Sequence, residues 1–286
     1  MTRMSRRSLL AGMAIGTACF GAGVGAATGA AVKSQDEIRK AELEWWRQAI
    51  ARLPFERVAV PGAEAMAAWR RLRDAGRGYP VVVGDEEALG RIAEHYVMDD
   101  PGLVPNVTVR RPGAAEVIEA AGRLRIPQDL SAWQAEVFGL DGEVLTPPEG
   151  TWPKIPARAA EGPSVARNVR TGAFLPEVFI LLVPAAEGYE VPAYLKWGGW
   201  NACPPDAYHV AVLRSWHDRF GAELVGLGFD VMDLMVGRPP DSREAALELA
   251  REEYLYCPDS IDQGAGSVAA RAAHLMNSRW WQFWWD

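Results

Sequence analysis

Apolar positions first recur at helical spacing in "QDEIRKAELEWWRQAIARL", where Ile38, Leu43, Trp46, Ile50 and Leu53 predict one inward face. Ser34 and Glu37 precede that run in the Ser-x-x-Glu spacing of a capping box, and the helix is expected to end before Pro54. A second helix is expected in "AEAMAAWRRLRDAG", closed by Gly76. The run "YPVVVGD" is short and almost wholly apolar, the pattern of a buried strand. It hands over to the helix "EEALGRIAEHY", with Asp85 as its cap.

The periodicity then breaks. Between Pro101 and Pro163, "VTVRRPGAAEVIEAAGRL" predicts strand, turn and helix, whereas the proline- and glycine-rich "LTPPEGTWPKIPARAAEGP" predicts a long loop or linker. "EVFILLVPA", bounded by Pro176 and Pro184, has the length and composition of a central strand. Further on, "PPDAYHVAVLRSWHDRFG" reads as a helix capped by Asp206 and stopped by Gly221, with Val210, Leu213, Trp216 or His217, and Phe220 facing inward. "AELVGL" and "VMDLMV" predict two strands joined by a tight turn around Gly228, Phe229 and Asp230. Asp241 and Glu244 are placed to box the start of "SREAALELAREEYLY", and "GSVAARAAHLM" adds a short helix before the aromatic tail.

The tail "RWWQFWWD" fits either period. As a helix it stacks Trp280 on Trp284 and Trp281 on Trp285; as a strand it points Trp281, Phe283 and Trp285 one way and Trp280, Gln282 and Trp284 the other. The Asn277-Ser278 break and the strand propensity of aromatic residues favour the strand. Each buried aromatic removes about 150–250 Å² from water, so core closure is the leading expectation. An exposed glycan-stacking platform and a membrane-interface anchor are the competing readings.

The expected fold class is therefore α/β: a mixed sheet flanked by helices, ending in an aromatic C-terminal strand. The expected division is an N-terminal α/β portion over 34–145, a Pro-rich loop or linker over 146–173 and an α+β C-terminal domain over 174–286. At 286 residues, 49% apolar and 23% charged, the chain is long enough for a substantial core.

The first 31 residues change the picture. Arg3, Arg6 and Arg7 precede an uncharged run rich in Gly and Ala, the pattern of a signal peptide. The stretch Ser5-Arg6-Arg7-Ser8-Leu9-Leu10 is similar to the twin-arginine export motif. The expected location is therefore beyond the cytoplasmic membrane, in the periplasm or outside the cell, with no stable membrane span after cleavage and a membrane tether if the signal stays uncleaved. Cleavage after residue 31 removes three arginines and no acid, which takes the net charge from −7 to −10. With no basic stripe, nucleic acid is not an expected partner.

From about Val178 to the C-terminus, four stretches carry a family likeness: "WGGWNACPP", "HVAVLRSWHDRFGAELV", "RPPDSREAALELAREEYLYCPDSIDQG" and "WWQFWWD". Together they resemble the family called domain of unknown function 4253. Against that pattern Phe220 replaces a tyrosine, Asp233 a glutamate and Gln282 an aromatic residue. The likeness implies a fold unit and no catalytic assignment for any residue.

Candidate chemistry gathers in the same region. Cys203 and Cys257 each precede a proline. If oxidised, they would close a loop of about 55 residues, worth roughly 4 kcal/mol without strain. Two buried free thiols are the other reading, since a chain exported folded must form its structure in a reducing compartment. Cys203, Cys257, His209 and His217 are also of zinc-ligand type, but no CxxC pair supports them, so neither a metal nor any other cofactor is expected. Cys203 six residues before His209 permits a thiol nucleophile with a histidine base. In the loop "WGGWNACPP", Trp197 and Trp200 offer flat faces and Asn201 offers a donor and an acceptor, so a ligand is expected there, unless the tryptophans turn inward.

Three functional classes follow. The leading one is a non-catalytic module binding a small-molecule, glycan or protein ligand in a groove near Trp197, Trp200, Asn201, Cys203 and Asp230. The alternative is an envelope hydrolase using His209 with Cys203 or Asp230, with or without metal assistance. The third is an interaction protein whose acidic face engages a basic partner.

Overall fold

The computed structural model describes residues 34–108, 110–140, 145–154 and 161–285. The expected signal segment lies outside them. The chain divides into two compact units, residues 1–42 and 43–286. In the first, the expected capping box is present: Glu37 N–H donates to Ser34 Oγ (3.2 Å) and Ser34 N–H to Glu37 Oε2 (2.8 Å). They open helix α1 (Gln35–Arg52). Ile38 and Leu43 do not face inward as the spacing predicts. They are exposed, and burial along α1 begins at Trp46.

The second unit is built on one six-stranded sheet, in the order β1 (Glu56–Val60), β3 (Val178–Val183), β2 (Tyr79–Gly84), β4 (Ala222–Leu227), β5 (Val231–Val236), β6 (Trp280–Trp284). Only β2 and β4 run parallel; the other neighbours are antiparallel, so the mixed sheet expected from the sequence is present. Strands from residues 56–84 and from 178–284 thus share one ladder. All six residues of β2 are buried, as its continuous apolar run requires.

Helix α2 (Ala65–Ala75) ends at Gly76, whose φ of +64° is the left-handed stop that glycine adopts without a Cβ clash. Asp85 caps α3 (Glu86–Tyr96) by accepting from Ala88 N–H at 3.1 Å. Helices α4 (Ala114–Ala121) and α5 (Gln128–Val137) follow. Among the described residues of 101–113 no strand forms. The Pro-rich segment holds, among its described residues, only the 3-10 turn Ser164–Ala166, and it is tied down: Pro148 and Glu149 carbonyls accept from Val268 and Ala269 N–H.

The short helix α6 (Val191–Leu195) precedes α7 (Asp206–Phe220), which stops at Gly221. Pro205, not Asp206, occupies the N-cap position of α7, without a side-chain bond; Asp206 is the first helical residue and accepts from Ala207 N–H. The cap of α8 (Arg243–Tyr256) is likewise shifted from the expected Asp241 to Ser242, which accepts from Ala245 N–H at 3.2 Å. A π-helical turn (Ser260–Ala265) and α9 (Val268–Asn277) lead to the tail.

The tail is a strand. β6 pairs with β5 so that Phe283 lies opposite Met232 and Trp281 opposite Leu234. Alternation puts Trp281, Phe283 and Trp285 in the core, at no more than 2% exposure, while Gln282 faces solvent. Trp216 of α7 stacks on Phe283 with ring centroids 5.2 Å apart, and Tyr256 at the end of α8 meets both Phe283 and Trp285 edge-on.

Trp281→Ala is therefore expected to cost about 3–5 kcal/mol by urea unfolding, as for other buried aromatic truncations. Gln282→Ala on the opposite face should stay within about 0.5 kcal/mol. Equal small losses at both positions would mean that the strand is not packed.

Candidate functional site

The elements of the second unit bring Cys203, His209 and Tyr256 together. Cys203 lies in the turn before α7, His209 in its first turn and Tyr256 at the end of α8. His209 Nδ1 is 2.6 Å from Tyr256 Oη, and His209 Nε2 is 3.4 Å from Cys203 Sγ. His209 also bonds the Pro204 carbonyl, which can only accept. Nε2 is the ring nitrogen on that side, since a Cβ built on Gly198 would lie close to both it and the Pro204 carbonyl. Nε2 therefore carries the proton, and Nδ1 accepts from the Tyr256 hydroxyl.

All three side chains are buried. Burial drives the His209 pKa down from 6.5 to about 3 and raises the Cys203 thiol and Tyr256 phenol well above their ordinary values. The array is neutral at physiological pH. A neutral thiol beside a neutral imidazole, both sealed from solvent, lacks the thiolate that nucleophilic catalysis needs.

The expected Cys203–Cys257 disulfide is corrected here: both thiols are free. Each has its own partner, Cys203 the His209 ring and Cys257 the carbonyl of Trp284, to which its thiol donates at 3.0 Å. Of the four zinc-type residues only Cys203 and His209 are seen in contact. His217 sits edge-on to Tyr189, apart from the His209 array, and among the described residues no group of three or more His, Cys, Asp and Glu is placed to hold a metal ion.

The loop before α7 sends its two tryptophans to different places. Trp197 turns inward, 1% exposed, donating its indole N–H to Gly228 O at 2.9 Å and meeting His209 and Trp285 ring to ring. Trp200 lies at the rim, half-buried and stacked on Phe229 with centroids 5.3 Å apart and planes within 12°. Beside it Asn201 is exposed in the left-handed region (φ +46°), and Asp230 is exposed in the β4–β5 turn, its carbonyl accepting from Trp285 N–H. The Arg91 guanidinium of α3 lies 5.9 Å from the Phe229 ring centre.

Gly198 is the pivot of this loop. Its φ is +114°, and a Cβ there would sit 2.3 Å from Pro204 O and 2.7 Å from His209 Nε2. No other residue fits. The loop is braced from below by groups that no sequence motif identified. Asp99 accepts from Lys196 Nζ at 2.6 Å and from Arg111 N–H at 2.9 Å, and Arg111 donates to the carbonyls of His95 and Lys196. His95 Nε2–H donates to Gly198 O at 3.2 Å, and its pKa is lowered to about 4 by burial and then by the Arg111 charge.

Asp233, the departure from the family pattern noted above, lies in the middle of β5. It is buried, and its Oδ2 accepts from Ser164 N–H (2.8 Å), Ser164 Oγ–H (3.0 Å) and Val165 N–H (3.3 Å). Burial outweighs these bonds and raises its pKa from 3.8 to about 6. The signal that could have pointed to it is a lone carboxylate at an inward position of an apolar strand.

Residues 179–286 match a family model described as a domain of unknown function. No curated protein and no solved structure matches the chain.

Two outcomes are expected. In the native protein both thiols should resist an aromatic disulfide reagent and react only on unfolding, and intact mass should be unchanged by reduction; rapid native labelling would mean that the array is open. The pH dependences of His209 and Asp233 carry opposite signs. His209, depressed in the folded state, contributes stability that is present above about 6.5 and is lost as pH falls toward about 3. Asp233, raised in the folded state, contributes stability that is full below 3.8 and lost as pH rises through about 6. Urea unfolding of wild type and Asp233→Asn should accordingly diverge in favour of the wild type as pH falls through that interval. A difference independent of pH would contradict the assignment. Cys203, His209, Asp233, Tyr256 and Cys257 thus all lie within the stretch 179–286 that matches the DUF4253 family model.

Proposed function

We propose that this protein is a non-catalytic binding module, exported from the cytoplasm, that takes its ligand at the rim formed by Trp200, Asn201, Phe229 and Asp230. One observation carries the reading. The Cys203–His209 pair is buried and neutral, while the Trp200–Phe229 stack is half-exposed near the Arg91 guanidinium, with exposed Asn201 and Asp230 next to it in sequence. Paired aromatic rings flanked by polar groups suit a ligand with one flat apolar face and hydroxyl or amide groups at its edge, as a sugar ring has. The hydrolase reading needs His209 in an open cleft, and its complete burial gives that reading no support. Export rests on the Arg6-Arg7 segment. Among the described residues no helix is long and apolar enough to cross a membrane.

Isothermal titration of the full chain with soluble cell-envelope oligosaccharides tests this. Binding is expected, and Trp200→Ala should weaken it at least about tenfold, the loss of roughly 1.4 kcal/mol that one stacking contact supplies. Retention of every measurable interaction in both Trp200→Ala and Asn201→Ala would remove the rim from the account.

A further inference from the structure

The rim has a charged neighbour in α3. Glu87, Arg91 and His95 follow one another at a spacing of four along that helix, so they stand in one row. The row runs beside the aromatic stack. His95 meets the Trp200 ring edge-on with centroids 4.8 Å apart, and the Arg91 guanidinium lies 5.9 Å from the centre of the Phe229 ring and 5.9 Å from that of Trp46. Four residues advance a helix by about 6 Å, close to the 5.3 Å step from Trp200 to Phe229, so each ring of the stack faces one member of the row.

Of the cations around this loop, Arg91 is the exposed one. His95 is neutral, Lys196 is paired with Asp99, and Arg111 is bonded to the carbonyls of His95 and Lys196. Arg91 holds a carboxylate of its own helix: its Nη2 is 3.2 Å from Glu87 Oε1, and the two side chains are 46% and 43% exposed. Exposed pairs of this kind contribute little to stability and are screened by salt, so Glu87 does not shut out a second carboxylate. The guanidinium is a planar fork of five N–H groups, and the bond to Glu87 uses one of them. The rest suit the two-bond contact that arginine makes with a carboxylate.

We propose that the rim takes an acidic oligosaccharide: one sugar ring stacks at Trp200, and a carboxylate on the adjoining sugar pairs with Arg91. The inference rests on the rim reading above and adds the charge and the minimum length of the ligand. A lone sugar over Trp200 stops one ring short of Arg91, because Arg91 stands beside Phe229. The ligand therefore has at least two sugars. The negative charge it can carry is small. Asp230 follows Phe229 in the same turn and the chain as a whole carries −7, so a polyanion is repelled, while a single carboxylate beside Arg91 meets little of that repulsion.

The test is isothermal titration of the full chain at low salt with two forms of one disaccharide. The first is N-acetylglucosaminyl-N-acetylmuramic acid, whose second sugar bears one carboxylate; the second is the same molecule with that carboxylate converted to its methylamide. The acid should bind about fivefold tighter, the contribution of one exposed ion pair, and the ratio should shrink as salt is raised. Arg91→Ala should bring the two forms within about twofold of each other, and Arg91→Lys, which keeps the charge and loses the fork, should restore part of the preference. Trp200→Ala should weaken both forms alike. Equal binding of acid and amide by the wild type, with Trp200→Ala weakening both, would overturn the charge preference and leave the rim standing. A preference that survives Arg91→Ala would assign the charge to another group and overturn the inference. Binding of neither form would remove the rim and this inference together.

Discussion

The pairing of β6 with β5 is the interaction on which the rest of the second unit depends. It places three large aromatic side chains, Trp281, Phe283 and Trp285, against Trp216 of α7 and Tyr256 of α8. An edge strand at a chain end ordinarily frays, because half its backbone groups lack partners. Here the side-chain contribution opposes fraying. The aromatic contacts run without a break from Phe220 through Trp281, Trp216, Tyr256 and Trp285 to Trp197, and so couple α7, α8, β6 and the loop before α7.

That core explains why the residues of most obvious chemical interest are chemically quiet. Cys203, His209 and Tyr256 fill polar positions inside an aromatic shell and satisfy one another, which is what burial of polar groups demands. The same shell places Gly228 and the following turn at the sheet's end, because the indole of Trp197 bonds the Gly228 carbonyl. What stays partly exposed beside that core is the rim above the turn, where Trp200 stacks on Phe229.

Five of the six strands and most helices were legible because their signals are local; β1 (Glu56–Val60), short and mostly exposed, was not. Continuous apolar runs identified β2 and β3, Gly76 and Gly221 marked helix ends, and the alternation of the tail set its inward residues. Helix starts differ by one residue at α7 and α8: Pro205 occupies the N-cap position of α7 with no side-chain bond, and Ser242 takes the capping role expected of Asp241. The site was harder to read. Cys203 and His209 are close in sequence and did meet, but Tyr256 is 47 residues away and only the fold brings it in. The disulfide expectation failed because shared sequence context, a cysteine before a proline, says nothing about where two thiols point. Asp233 with Ser164, and Arg111 with Lys196, are pairs created by tertiary contact alone.

The most direct test of the central claim is native-state hydrogen exchange at the Trp285 amide, which donates to the Asp230 carbonyl at 3.0 Å, beyond the last residue of β6. If the aromatic core holds this edge closed, that amide exchanges only through global unfolding, with the same free energy as the buried amides of β2. Exchange through local opening, several kcal/mol below the global value, would contradict the account.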